Sequence, residues 1–110
     1  MGVEVAPVFA EKLTNAPGKK LNVVRVNCAP GGKLGAHRHA GSIFAYVLSG
    51  ATRSENSATG PVKVHKTGKS FFEPAGSRHL VSENASTKEP AGLLAVFVAD
   101  DGARLTTFDK

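Results

Sequence analysis

Pro30-Gly31-Gly32-Lys33-Leu34-Gly35-Ala36-His37-Arg38-His39 is the stretch whose reading decides the fold. Pro30-Gly31-Gly32 is a turn signal, and His37-Arg38-His39 follows it as the start of a strand. Side chains alternate along a strand with period 2, so His37 and His39 project to one face and Arg38 to the other. Two imidazoles side by side are half of a metal site, while Arg38 belongs to the surface. Ile43-Phe44-Ala45-Tyr46-Val47-Leu48 continues as a second strand and stops at Ser49-Gly50. A third histidine, His79, lies forty residues beyond His39 and behind another turn, Pro74-Ala75-Gly76.

Working outward, the chain divides into short strands. Residues 4–13 carry scattered apolar positions and are expected to form an edge strand or arm. Leu21 to Ala29 is β-branched and strand-like. Ala51-Thr52-Arg53-Ser54-Glu55 follows Gly50, and Asn56 to Gly60 is a polar loop. Val62-Lys63-Val64-His65 alternates as a half-exposed strand, which leaves His65 a polar residue rather than a ligand. Ser70-Phe71-Phe72-Glu73 runs into the Pro74 turn, and His79 to Glu83 is the next strand. Leu93 to Ala99 is the most apolar run and is expected to be buried on both faces. Asp100 to Lys110 is a polar tail with Leu105 and Phe108 as packing points. No helical period persists over three turns, and strands punctuated every eight to twelve residues predict an all-β sandwich or barrel.

Composition bounds the rest. At 110 residues the chain is expected to be one domain, burying about two-thirds of its unfolded surface. The net charge of +5 comes from 14 basic residues spread along the chain, with only Lys19-Lys20 adjacent and no interleaved aromatics. Nucleic-acid binding needs a concentrated basic patch, so it is set aside. No apolar run has the eighteen or so residues that span a bilayer. The lone Cys28 has no partner for an intramolecular disulfide and is in phase with Val24 and Val26, which reads as a buried, inert thiol. Met1-Gly2-Val3 has neither the basic nor the apolar region of a signal peptide; this fits a cytoplasmic chain, or a periplasmic one whose leader was removed. Asn84-Ala85-Ser86 matches a glycosylation acceptor, a pattern common by chance.

Gly31, five residues and His37-Arg38-His39, followed by a strand ending at Gly50, resembles the first sequence motif of the cupins. Gly68, five residues, Pro74-Ala75-Gly76, two residues and His79 resembles the second, about 18 residues beyond the first. The resemblance runs from Gly31 to Glu83. It implies a cupin jelly-roll barrel of six to eight strands, with a metal site inside its mouth held by His37, His39 and His79. The metal would be a divalent transition ion, iron, manganese, nickel, copper or zinc. Small cupins of this kind are often homodimers that pair through an N-terminal strand, here residues 3–13.

One position departs from the pattern. The first motif's glutamate, a fourth metal ligand in the family, falls at Ile43, and Ser42 and Phe44 offer no carboxylate either. At the end of the second motif, where the family has asparagine, Glu83 and Asn84 stand one position apart. Three neutral imidazoles still form a facial set with open positions, similar to the sites of thiol and diketone dioxygenases. They leave the full dipositive charge on the metal, which favours an anionic or enolisable chelating substrate. Glu73 is the nearest carboxylate, a candidate to hold a histidine tautomer or take a substrate proton, unless it is simply a solvated rim residue. The pocket wall is expected from Phe44, Tyr46, Phe71, Phe72 and Phe97, unless these are plain core.

Two classes of function remain open. One is a small metal-dependent enzyme that oxidises or oxidatively cleaves a small organic acid, diketone or thiol. The other is a non-catalytic small-molecule or sugar-binding module. Isomerase or lyase chemistry without oxygen is also compatible with the fold.

Overall fold

The computed structural model describes residues 2–108; Met1, Asp109 and Lys110 lie outside the described residues. Eleven strands form among them: β1 (Val3–Lys12), β2 (Lys19–Cys28), β3 (Lys33–Leu34), β4 (His37–His39), β5 (Ser42–Ser49), β6 (Ala51–Asn56), β7 (Gly60–Lys66), β8 (Ser70–Glu73), β9 (Arg78–Asn84), β10 (Ala91–Asp100) and β11 (Thr106–Phe108). No helix occurs among the described residues, so none is long and apolar enough to cross a membrane. One sheet has the order β1-β2-β10-β5-β8, and the other β11-β4-β9-β6-β7 with β3 also paired to β9. The pairings are all antiparallel, and the two sheets together make the expected all-β jelly roll. It is built from eleven strands among the described residues where six to eight were expected, because turns cut the histidine stretch into the short β3 and β4.

The core follows from strand alternation. On β5, Ile43, Ala45 and Val47 are buried, whereas Phe44 and Tyr46 face out. On β10, Ala95, Phe97 and Ala99 are buried, and Leu94, Val96 and Val98 are only half-buried. The Leu93 to Ala99 run is therefore not covered on both faces as its composition suggested. An antiparallel sheet of this kind packs one face on the core and leaves the other open, and here the open face is unusually apolar. Ile43, Ala95 and Phe97 form the buried cluster, with Val24, Leu93 and Leu105 packed against it.

Asn84 and Gly41 fix how the sheets close. Asn84, 4% exposed, donates from Nδ2 to Ala29 O (3.1 Å) and Glu89 O (2.7 Å), and its Oδ1 accepts from Ser86 N–H (2.9 Å). It ties the end of β9 to the loop after β2, and its burial removes it as a glycosylation acceptor. Cys28 is buried, and burial pushes its thiol pKa up, as expected of an inert cysteine. Gly41, between β4 and β5, lies flat against β10, where an added Cβ would collide with Val98 O and Ala99 Cβ.

Gly41→Ala is expected to destabilise the fold by about 1–3 kcal/mol or more, because the clash is with backbone that pairs on both sides. Urea denaturation checks this; a loss below about 0.5 kcal/mol, the range of neutral surface changes, would contradict the packing described.

Candidate metal centre

Each site residue is placed by a strand and its register. His37 and His39 share the inner face of β4, and exposed Arg38 points the other way. The β4–β9 pairing sets His37 opposite His79. His79 follows the turn Pro74-Ala75-Gly76, in which Gly76 takes φ +77°, a left-handed value that glycine tolerates without Cβ strain. Ser77 closes that turn by donating from Oγ to Pro74 O at 2.6 Å. The outcome is three imidazoles in contact, with ring centroids 4.6 Å apart for His37–His39, 4.9 Å for His37–His79 and 6.1 Å for His39–His79. One nitrogen from each ring falls within a common 4.8 Å, which suits a single ion.

The hydrogen bonds decide which nitrogen carries the lone pair. His37 Nδ1 lies 2.7 Å from Gly35 O, and a carbonyl only accepts, so Nδ1 carries the proton and Nε2 the lone pair. His39 Nδ1 likewise meets Leu105 O at 3.3 Å and Thr106 Oγ1 at 3.1 Å. His79 is turned the other way, with Nε2 against Ser54 Oγ at 2.8 Å. Its Nδ1 is 3.1 Å from Glu73 Oε1 but out of line for a bond, so this nitrogen is buried without a hydrogen bond. A buried, orphaned imidazole nitrogen is costly in a protein and is what a cation would satisfy. The donor set fits a divalent transition metal, to which neutral imidazole is a common ligand.

Burial and repulsion from neighbouring rings keep His39 and His79 neutral. Desolvation lowers the His39 pKa to about 4, helped by nearby His37 and opposed by the Leu105 carbonyl. Desolvation lowers His79 to about 3, with repulsion from His37 and His39 adding to it. Glu73, 4% exposed, moves the opposite way: desolvation raises it to about 7, partly offset by the Asn56 Nδ2 hydrogen bond to Oε1 at 3.1 Å. Glu73 is thus a buried carboxyl and not a solvated rim residue. It sits on β8 directly across from Ile43 on β5.

A cavity of about 200 Å³ lies between the sheets and is lined by the three histidines and Glu73. Phe71 and Phe97 are part of its wall, and Phe97 stands edge-on to His39 with centroids 5.3 Å apart. Phe44, Tyr46 and Phe72 are not: they stand on the outer sheet face, 44%, 40% and 52% exposed. The reason is parity, since Ile43, Ala45, Phe71 and Glu73 take the inner positions of the same strands. His65 is half-buried, stacked on Phe71 at 4.5 Å outside the histidine cluster. Ser54, Asn56, Thr106 and Phe108 are site residues that sequence reasoning missed. Phe108 lines the cavity with its ring 5.3 Å from His37, carried there by the β11–β4 pairing.

The metal-free protein has two opposed pH dependences. The histidine contribution is full above the ordinary value near 6.5 and is lost as pH falls through about 4 for His39 and about 3 for His79. Glu73 contributes stability that is full below 4.5 and lost as pH rises through about 7. Glu73→Gln is therefore expected to raise the melting temperature of the metal-free protein at pH 7.5 and leave it nearly unchanged at pH 4.5. An equal shift at both pH values, measured by thermal denaturation, would contradict the buried neutral carboxyl.

Structural comparison finds the same architecture in proteins of low sequence identity. A cupin-like protein from Thermotoga maritima matches with a TM-score of 0.75 at 18% identity, over 97% of this chain and 75% of the other. Oxalate oxidase in complex with the substrate analogue glycolate matches at 0.73 and 20%, over 97% and 55%. A DMSP lyase from Ruegeria pomeroyi matches at 0.68 and 18%, over 80% and 42%. The chain spans about half the length of the oxidase and lyase structures, and identities this low carry the fold alone. No curated protein matches the sequence. The family model described as "Cupin domain" matches residues 24–97, the span that holds both histidine motifs. With that match, the two-sheet fold and the histidines in their expected places, the chain belongs to the cupin domain family.

Proposed function

We propose that this protein is a small metal-dependent enzyme that oxidises or oxidatively cleaves a small organic acid, diketone or thiol. The observation that carries the reading is the convergence of His37, His39 and His79 on one point in a cavity, one of them with an orphaned nitrogen. These three residues would hold iron, manganese, nickel, copper or zinc. When bound, such an ion supplies Lewis acidity toward a chelating oxygen or sulfur and, if redox-active, a route for electrons to dioxygen.

The protein's own groups do the rest. Glu73, anchored at Oε1 by Asn56, is the group that takes a proton from the substrate. Gly35, Leu105 and Thr106 fix the tautomers of His37 and His39. The apolar wall around Phe71 and Phe97 excludes water and so strengthens the electrostatics inside. A second reading, isomerase or lyase chemistry without oxygen, is supported by the same buried carboxylate, since proton transfer at Glu73 needs no oxidant.

We further propose a homodimer. β1 is an edge strand exposed along nearly its whole length, including Val5, Val8 and Phe9. On the outer face, Phe9, Val23, Val96, Phe44 and Phe72 are register partners in one row across all five strands. At about 4.8 Å per strand the row is roughly 20 Å wide, a larger apolar surface than scattered exposed residues make. A second copy is the occupant that suits both features.

Elemental analysis of protein expressed with each candidate metal is expected to show near-stoichiometric metal in the wild type and its loss in His79→Ala. An oxygen electrode then separates the two chemistries. Wild type without metal after reconstitution would overturn the enzyme reading. For assembly, light scattering on a sizing column is expected to give a dimer, and Phe44→Asp with Phe72→Asp a monomer; a monomeric wild type would contradict the pairing.

A further inference from the structure

The cavity's lining says what kind of molecule fits beside the histidines. Its polar side chains are few. They are His37, His39, His79 and Glu73, with Ser82 and Thr106, the latter already committed to His39. The remainder is apolar, and among the described residues no lysine or arginine lines it. A charge carried into the apolar part would lose its water without gaining a partner, which costs several kcal/mol.

Two alanines set the room available. Val24, Ala95, Ala45 and Phe71 are register partners in a row across β2, β10, β5 and β8, and all four line the cavity. Ala45 is 2% exposed and Ala95 5%, at the centre of the sheet, where larger side chains are the usual filling. Their neighbours on the same face include Phe97, Ile43 and Leu93, so the methyl-only pair is a recess in an otherwise filled layer. An apolar cavity of about 150 Å³ accepts a benzene ring, so the 200 Å³ here is room for a branched alkyl or aryl group with a short polar head. Hydroxyl-rich ligands such as sugars find almost no polar partners on this wall.

We infer that the ligand is a chelating monoacid with one uncharged, apolar tail, its two oxygens directed at the histidines and its tail seated over Ala45 and Ala95. The inference rests on the metal reading above and narrows it, since it selects 2-oxo or 2-hydroxy acids with branched alkyl or aryl tails over dicarboxylates and sugars. Ala45 and Ala95 determine size, and the absence of a cation at the tail end determines charge.

The test uses the full chain loaded with Co(II), whose visible spectrum reports metal binding and ligand addition separately from any turnover. Three 2-oxo acids with the same head are titrated: pyruvate, 4-methyl-2-oxopentanoate and 2-oxoglutarate. Wild type is expected to bind 4-methyl-2-oxopentanoate at least tenfold tighter than either of the others. Ala95→Leu, or Ala45→Leu, is expected to erase its advantage over pyruvate while Co(II) affinity stays within about twofold of wild type. Co(II) bound without a preference among the acids, or 2-oxoglutarate bound as tightly as the apolar acid, would overturn this inference and leave the metal reading intact. Failure to bind Co(II) at all would overturn both. If both leucine variants fail to fold, the comparison of the three acids on wild type decides.

Discussion

The pairing of β4 with β9, which sets His37 opposite His79, is the constraint on which the rest of the site depends. Alternation alone brings His37 and His39 to one face, but only register supplies the third imidazole. A slip of one residue would turn His79 to the outer face. Several features hold that register. The Gly76 turn delivers His79 at its position, and Asn84 clamps the far end of the same strand to the loop after β2. Beside them, Asn56 lies across from His79 where the β6–β9 register shifts, and reaches Glu73 from there.

That same pairing creates an electrostatic problem. Three imidazoles in ring contact and mostly out of water cannot all be charged, and burial together with repulsion from neighbouring rings pushes His39 and His79 far below their usual range. The buried carboxyl beside them is pushed up. A neutral cluster with an unsatisfied nitrogen costs the fold stability, and structures keep such arrangements where the groups have a use. A divalent cation held by His37, His39 and His79 would resolve all of it at once, by taking the lone pairs, compensating the carboxylate and favouring the neutral form of the rings. The apolar wall, which makes the empty cluster expensive, makes the filled one strong.

Much of this was legible in the sequence, for identifiable reasons. Turn residues and β-branched runs mark most of the strands, and the glycine and proline positions around His37 and His79 mark both halves of the candidate metal site. Parity was harder. Ile43-Phe44 and Phe71-Phe72 are apolar at adjacent positions, so size favoured aromatics for the pocket, whereas the inner face takes Ile43 and Phe71. Glu73 held the clue, because alternation puts it with Phe71 and hence puts Phe72 outside. Thr106, Ser54 and Phe108 were invisible because their roles come from pairings between distant segments, and a short polar tail gives no sign that it will form a strand beside the histidines. Leu93 to Ala99 misled for a related reason: its outer residues belong to an apolar sheet face that is only half covered.

The central claim is that one cation sits among His37, His39 and His79. Anomalous diffraction from a crystal of the metal-loaded protein, collected on both sides of the metal's absorption edge, tests it most directly. The account predicts a single strong peak within coordination distance, about 2.0–2.2 Å, of one nitrogen from each of the three rings. A peak elsewhere on the protein, or a loaded crystal with no peak among these rings, would contradict it.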